Sequence, residues 1–258
     1  MRRPWVLGNW KMHGDVAGNL LRLQALSTQD CAGIDVAIAP PLIYFAQAQA
    51  ILAGSAVKLA AQEVSAHEQG AWTGQHAASM LRDFDCELVL AGHSECRQQG
   101  RSDEEVGQQL RRILEQGLRA VLCVGETLAE YEAGLGMAVV RRQLQSLFEV
   151  PEELARRALI AYEPVWAIGT GQVATPEHAQ TVHQAIRACV AQRSPSWAQA
   201  LPVLYGGSVK VDNVASLMSQ ADVDGVLVGG ASLKAGEFIK IIELSRQAKS
   251  VPGTREEV

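Results

Sequence analysis

Eight short apolar runs, separated by stretches with helical spacing, constrain this 258-residue chain more than any other feature. They are WVLGN (5–9), IDVAIAP (34–40), VKLAAQ (57–62), ELVLAG (87–92), RAVLCVG (119–125), ALIAYEP (158–164), LPVLYGG (201–207) and VDGVLVGG (223–230). Each is apolar on consecutive positions, the pattern of a strand buried on both faces. Between them lie segments such as VGQQLRRILEQG (106–117) and AQTVHQAIRACVAQ (179–192), which repeat apolar residues at helical intervals. Ser102 with Glu105 has the spacing of a capping box, and Thr175-Pro176-Glu177 places a cap, a first-turn proline and an acid in order. Alternating strands and helices imply parallel strands joined by right-handed crossovers. Eight such units fit a closed barrel better than an open doubly wound sheet. We therefore expect an α/β fold with a single catalytic domain over 1–258, a (β/α)8 barrel, with 250–258 as a loose polar tail.

Composition removes several functional classes. The net charge is −5, which argues against nucleic acid or an anionic membrane as partner. Five cysteines without a CxxC pair read as reduced thiols rather than a disulfide or zinc framework. The six histidines show neither HxxxH nor HxH spacing, so no metal is expected. Residues 1–10 lack a secretory apolar core, and no apolar run reaches the roughly 18 residues of a membrane span. A cytoplasmic location is expected.

In a barrel of this kind the chemistry sits where strands end at their C-termini. That rule selects Asn9 and Lys11 after the first run, His93 after the fourth and Glu163 at the sixth. It also selects Gly206-Gly207-Ser208 after the seventh and Gly229-Gly230 after the eighth. Alone, Lys11 would read as a surface lysine, His93 as a structural donor and a glycine pair as a turn. Together they place an amide, a cation, an imidazole, a carboxylate and two glycine-rich turns at one mouth.

These segments resemble the triosephosphate isomerase family. The matching motifs are GNWKM (8–12), AGHSE (91–95), VGE (124–126), AYEPVWAIGTG (161–171), YGGSV (205–209) and DGVLVGGASL (224–233), in the family's order from about residue 4 to 247. The resemblance implies a TIM barrel that needs no cofactor and interconverts dihydroxyacetone phosphate and D-glyceraldehyde 3-phosphate through an enediol(ate). It further implies Glu163 as the base, with His93 a neutral donor to the substrate oxygen, the pairing already established for this family. Lys11 would supply fixed positive charge and Asn9 a neutral donor. The amides of Gly169, Ser208 and Gly230, with Gly229 beside them, would hold the phosphate near a helix N-terminus. Pro164, Val165, Trp166, Ala167, Ile168, Gly169, Thr170 and Gly171 would form a lid that closes over the substrate. Tyr162, Glu126, Tyr205 and Ser208 would latch its two states. Glu95 and Arg97 would support His93 and Lys11, and Cys123 would lie beneath Glu163 as a buried apolar group. The implied partners are a triose phosphate and a second copy of the chain, with Trp72 and Thr73 docking beside Lys11 of the other protomer.

Some positions depart from the commonest family pattern: Cys96 after GHSE, Gln172 after GTG, Trp72 and Gln75 in the 70–75 loop, and Glu63 after Gln62. None removes a catalytic group, although Gln75 puts in question the usual contact of that loop with the other protomer. The rival enzyme is a Schiff-base aldolase on the same barrel, for which Lys11 is the only suitable amine. A non-catalytic phosphate-binding protein would be expected to lack Glu163, His93 or Lys11, and all three are present.

Overall fold

All eight apolar runs become parallel strands. In the computed structural model, which describes residues 2–168 and 174–250, they are β1 (Trp5–Asn9), β2 (Asp35–Ala39), β3 (Val57–Ala61), β4 (Cys86–Ala91), β5 (Arg119–Val124), β6 (Leu159–Tyr162), β7 (Val203–Tyr205) and β8 (Gly225–Val228). Each pairs with its sequence neighbour, and β1 closes on both β2 and β8, with Gly8 opposite Ile38 on one side and Val228 on the other. The result is a closed barrel with no sheet edge.

Consecutive apolarity is explained by two interiors. Trp5, Leu7, Leu88, Leu90, Val121 and Leu204 point into the barrel and fill it. Their alternates, among them Val6, Val36, Val89, Leu122 and Ile160, point outward beneath the helices. A strand sandwiched this way has no wet face, so no polar alternation is possible. The long helices that cover it include Val16–Ser27, Asp103–Glu115, Gly136–Phe148, Pro176–Ala191 and Ala235–Ser250. The Ser102–Glu105 capping box is formed reciprocally, and the Thr175 hydroxyl caps the helix that Pro176 opens.

The strands are shorter than the runs. Glu163 and Pro164 leave the sheet after Tyr162, and the seventh strand shrinks to three residues between Pro202 and Gly206. Proline has no N–H to give a ladder, and glycine pays more entropy to sit in one. The residues shed at these C-terminal ends are the ones that build the mouth. Residues 251–258, expected to be a tail, lie outside the described residues.

Candidate active site

Asn9, Lys11, His93, Glu163, Ser208, Gly229 and Gly230 line one cavity of about 390 Å³ at the C-terminal end of the barrel. Ile168 closes one side of it, and Lys210 and Lys234 stand at its rim. The mouth therefore carries three lysines, of which Lys11 is paired with Glu95 and Lys234 with Glu237.

Lys11 is held in an unusual backbone conformation, with φ of 51°. A non-glycine residue stays there only if its surroundings fix it. Its N–H donates to Asn9 Oδ1 at 2.9 Å, and its carbonyl accepts from Gln62 Nε2 at 2.8 Å. Gln62 also donates to the Ala39 carbonyl at 2.8 Å, so it staples the turn after β1 to the end of β2. The Lys11 ammonium is paired with Glu95 at 2.7 Å. Glu95 thus lies against Lys11; Gln62 is an addition whose signal was its place immediately after β3.

His93 caps the short helix Ser94–Gln98 with its own ring: Nδ1 accepts the Glu95 N–H at 3.3 Å. A nitrogen that accepts cannot carry the proton, so the neutral ring holds it on Nε2. Nε2 lies 3.0 Å from Glu163 Oε1, in contact but without the alignment of a hydrogen bond. The other Glu163 oxygen accepts the Ser94 N–H at 2.8 Å. Glu163 is almost wholly buried and follows β6, its N–H bonded to the Val124 carbonyl at 2.8 Å. Space for it comes from Gly206, where a Cβ would stand 2.9 Å from Glu163 Cγ.

These contacts set the titration of both groups. Burial works against a charged imidazole, but the Glu163 carboxylate beside it outweighs burial and raises His93 above its ordinary value. Burial likewise pushes Glu163 up, yet His93 and the Ser94 amide hold it below the usual carboxylate range. The described geometry is thus a parked one, with the carboxylate stabilised against Ser94 and His93. Cys123 lies beneath it inside the barrel, its thiol driven well upward by burial and then by Glu163, which suits an inert packing group.

Where β7 and β8 open into the mouth, the Ser208 carbonyl accepts from Asn213 Nδ2 at 2.9 Å. The Ser232 hydroxyl donates to the Gly229 carbonyl at 2.7 Å, and Gly230–Leu233 forms a single 3-10 turn. A Cβ on Gly230 would meet nothing within 4 Å, so the backbone there is open to the cavity. Of the lid, Pro164 and the 3-10 turn Val165–Ala167 lead to Ile168. Gly169, Thr170, Gly171 and Gln172 lie outside the described residues. Glu126 Oε1 accepts from the Tyr162 hydroxyl at 2.9 Å and from the Trp166 indole at 2.7 Å. Tyr205 ends β7, buried, with its hydroxyl pushed up to about 12 by burial.

Arg97 reaches the Gly92 and Cys123 carbonyls and pairs with Asp103, bracing the strand ends rather than touching Lys11. Beside the half-buried Cys96, Arg101 pairs with Glu63 and Glu105. Gln75 turns back on its own loop, accepting from the Ser65 hydroxyl at 2.5 Å. Trp72 and Thr73 are exposed at that loop's tip. A second cavity of about 340 Å³ opens behind Glu163. Its Arg97 and Arg142 are both committed to Asp103. Among the described residues no three His, Cys, Asp or Glu side chains stand together as metal ligands.

The model of the triosephosphate isomerase family matches residues 4–245. Among relatives, the triosephosphate isomerase of Cupriavidus taiwanensis is 51% identical over 246 residues, covering 93% of this chain and 99% of that protein. Those of Paracidovorax citrulli and Thiobacillus denitrificans are each 50% identical, with 93% of this chain and 98% of each relative covered.

Proposed function

The chain belongs to the triosephosphate isomerase family and interconverts dihydroxyacetone phosphate and D-glyceraldehyde 3-phosphate; from that premise we propose how its residues divide the work. Glu163 removes a proton from C1 of dihydroxyacetone phosphate. The C–H electrons become the C1–C2 double bond of an enediolate, and the carbonyl π electrons move onto the C2 oxygen. That oxygen receives the His93 Nε2–H hydrogen bond, while Lys11 and Asn9 face the developing charge. His93 passes its Nε2 proton to the C2 oxygen and takes up the C1 hydroxyl proton in return, and Glu163 delivers its proton to C2, so that C1 becomes the aldehyde carbonyl.

Leaving the parked position activates both groups. As Glu163 moves toward the substrate carbon it gives up Ser94 and His93, the two contacts that hold its pKa down, so it becomes a stronger base. The same movement strips His93 of the carboxylate that raises it, and burial then favours the neutral imidazole. A neutral donor can polarise an oxygen without trapping it as an ion pair. Ser208, Gly229, Gly230 and Gly169 hold the phosphate, and the 164–171 lid covers it.

The observation that carries this reading is the juxtaposition of the His93 Nε2 donor and the Glu163 carboxylate at 3.0 Å in the cavity that Asn9 and Lys11 share. A coupled assay of glyceraldehyde 3-phosphate turnover in chelator tests it. Glu163→Gln should fold but lose most turnover. Glu163→Asp, withdrawn by one methylene, should lose on the order of 10²-fold. A Gln variant near wild-type kcat would sink the mechanism. The aldolase alternative gains nothing from Lys11 being ion-paired with Glu95, since a Schiff base needs a free amine.

We also read the working unit as one catalytic domain per protomer, assembled as a cytosolic homodimer. The unpaired state of the five cysteines supports the compartment, and the exposed apolar loop tips near Lys11 support the dimer.

A further inference from the structure

We propose that Tyr131 and His178 are positioning residues for this reaction: they complete a clamp on Trp166 that holds the lid's near hinge, and with it Glu163, in the parked geometry. Trp166 lies three residues beyond Glu163, separated from it by Pro164 and Val165. Its indole N–H donates to Glu126 Oε1, the same oxygen that accepts from the Tyr162 hydroxyl. Tyr131, on the short helix Leu128–Glu132, stacks on the indole with ring centroids 4.5 Å apart and planes at 27°. His178, in the first turn of Pro176–Ala191, meets the indole nearly edge-on at 5.6 Å and 76°. It also meets Tyr131 at 5.7 Å and 79°.

His178 acts on the hydrogen-bond side as well. Its Nε2 is 3.0 Å from the Tyr162 hydroxyl. That hydroxyl has one proton, committed to the buried Glu126 carboxylate, so it can only accept from His178. Two helices and Glu126, all outside the lid, thereby converge on one lid residue. A stacked or edge-to-face aromatic pair stabilises the geometry that contains it beyond simple burial.

The consequence has a definite sign. An anion gripped by the closed lid binds with an apparent Kd equal to its intrinsic Kd divided by the fraction of protein able to close. Weakening a clamp that favours the parked state therefore tightens anion binding, whereas damage to the site loosens it. Tyr131 is 43% exposed, so its removal opens no core cavity.

The test uses the full chain and inorganic phosphate, measured as a competitive inhibitor of turnover and by intrinsic tryptophan fluorescence. In Tyr131→Ala, phosphate should bind about two- to tenfold tighter, a range set by the usual strength of an aromatic pair. KM for the triose phosphate should fall in step. Tyr131→Phe, which keeps the stack, should match the parent. His178→Ala should shift phosphate affinity in the same direction as Tyr131→Ala. Unchanged or weaker phosphate binding in Tyr131→Ala overturns the clamp, and Tyr131→Leu supplies the same measurement should the alanine variant fold poorly. The inference rests on the lid reading above, whose own failure would look different: the parent protein would show no competitive inhibition by phosphate.

Discussion

His93 and Glu163 each depart from their ordinary titration mainly because of the other, and this makes the pair testable one residue at a time. The carboxylate favours the imidazolium against burial. Replacing Glu163 with Gln keeps the shape and burial but removes the charge, so burial and Lys11 act against the imidazolium with only Glu95 favouring it, and the imidazole should titrate lower than in the parent. Following the His93 ring Cε1–H by NMR through a pH series measures this directly. A His93 value that stays put or rises in Glu163→Gln would mean that Ser94 and solvent, not His93, govern the parked carboxylate. The residues of this pair were legible in the sequence, as were Asn9 and Lys11, because each follows a strand at the barrel's C-terminal end. Their supports were not. Ser94 works through its backbone N–H, which every residue but proline possesses. Gln62, Tyr131 and His178 act on residues far outside one helical or strand repeat, and single-sequence periodicity carries no record of such contacts.

At the scale of elements, the eight strands were legible because burial on both faces forbids polar alternation, and the long helices Asp103–Glu115 and Pro176–Ala191 because they bury one stripe. The short helices Ser94–Gln98 and Leu128–Glu132 escaped notice, since five residues cannot display a helical period. The proposed lid is read from AYEPVWAIGTG alone, and its chemistry yields a sharper test than its shape. Once Glu163 has taken the proton, the enediolate carries a phosphate on the adjacent carbon and can expel it. That elimination leads to methylglyoxal and inorganic phosphate, and it needs the carbon–oxygen bond to the phosphate to swing parallel to the π system. A lid that grips the phosphate should hold that bond near the enediolate plane, where expulsion is slow. Excising Ile168-Gly169-Thr170-Gly171 leaves Glu163, His93 and Lys11 in the chain. Isomerisation should then fall by several orders of magnitude while much of the consumed substrate emerges as methylglyoxal. The ratio of methylglyoxal to triose phosphate from one reaction decides the matter. A shortened enzyme that is slow yet still makes almost only triose phosphate would refute a protective role.

For the molecule as a whole, the loops that follow β1, β2 and β3 leave large apolar side chains in water: Met12 is 93% exposed, Ile43 85% and Trp72 45%. Covering such tips is favourable at roughly 25 cal/mol per Å² of apolar surface. The 70–75 loop is built to reach outward rather than to collapse. The Ser65 N–H donates to the His76 carbonyl at 2.8 Å across its base. His67 stacks on Trp72 with centroids 3.6 Å apart and planes at 4°, and Gln75 is tied back to Ser65. This leaves Trp72 and Thr73 at the end of a braced finger. Met12 adjoins Lys11, whose backbone is held at φ of 51° by Asn9 and Gln62. A finger from a second protomer docking there would shield that turn from water and complete its support. Assembly and activity should therefore fail together. In Trp72→Asp the stack on His67 is lost and a carboxylate is placed where apolar contact is needed. Sedimentation velocity should show monomers, and kcat/KM should drop by about tenfold or more, because small displacements of a catalytic cation are costly. Circular dichroism should show the barrel intact, since Trp72 contributes nothing to either interior. Monomers with full activity would separate the two properties and remove the cross-protomer role of the finger, leaving Asn9, Gln62 and Glu95 of the same chain as sufficient support for Lys11.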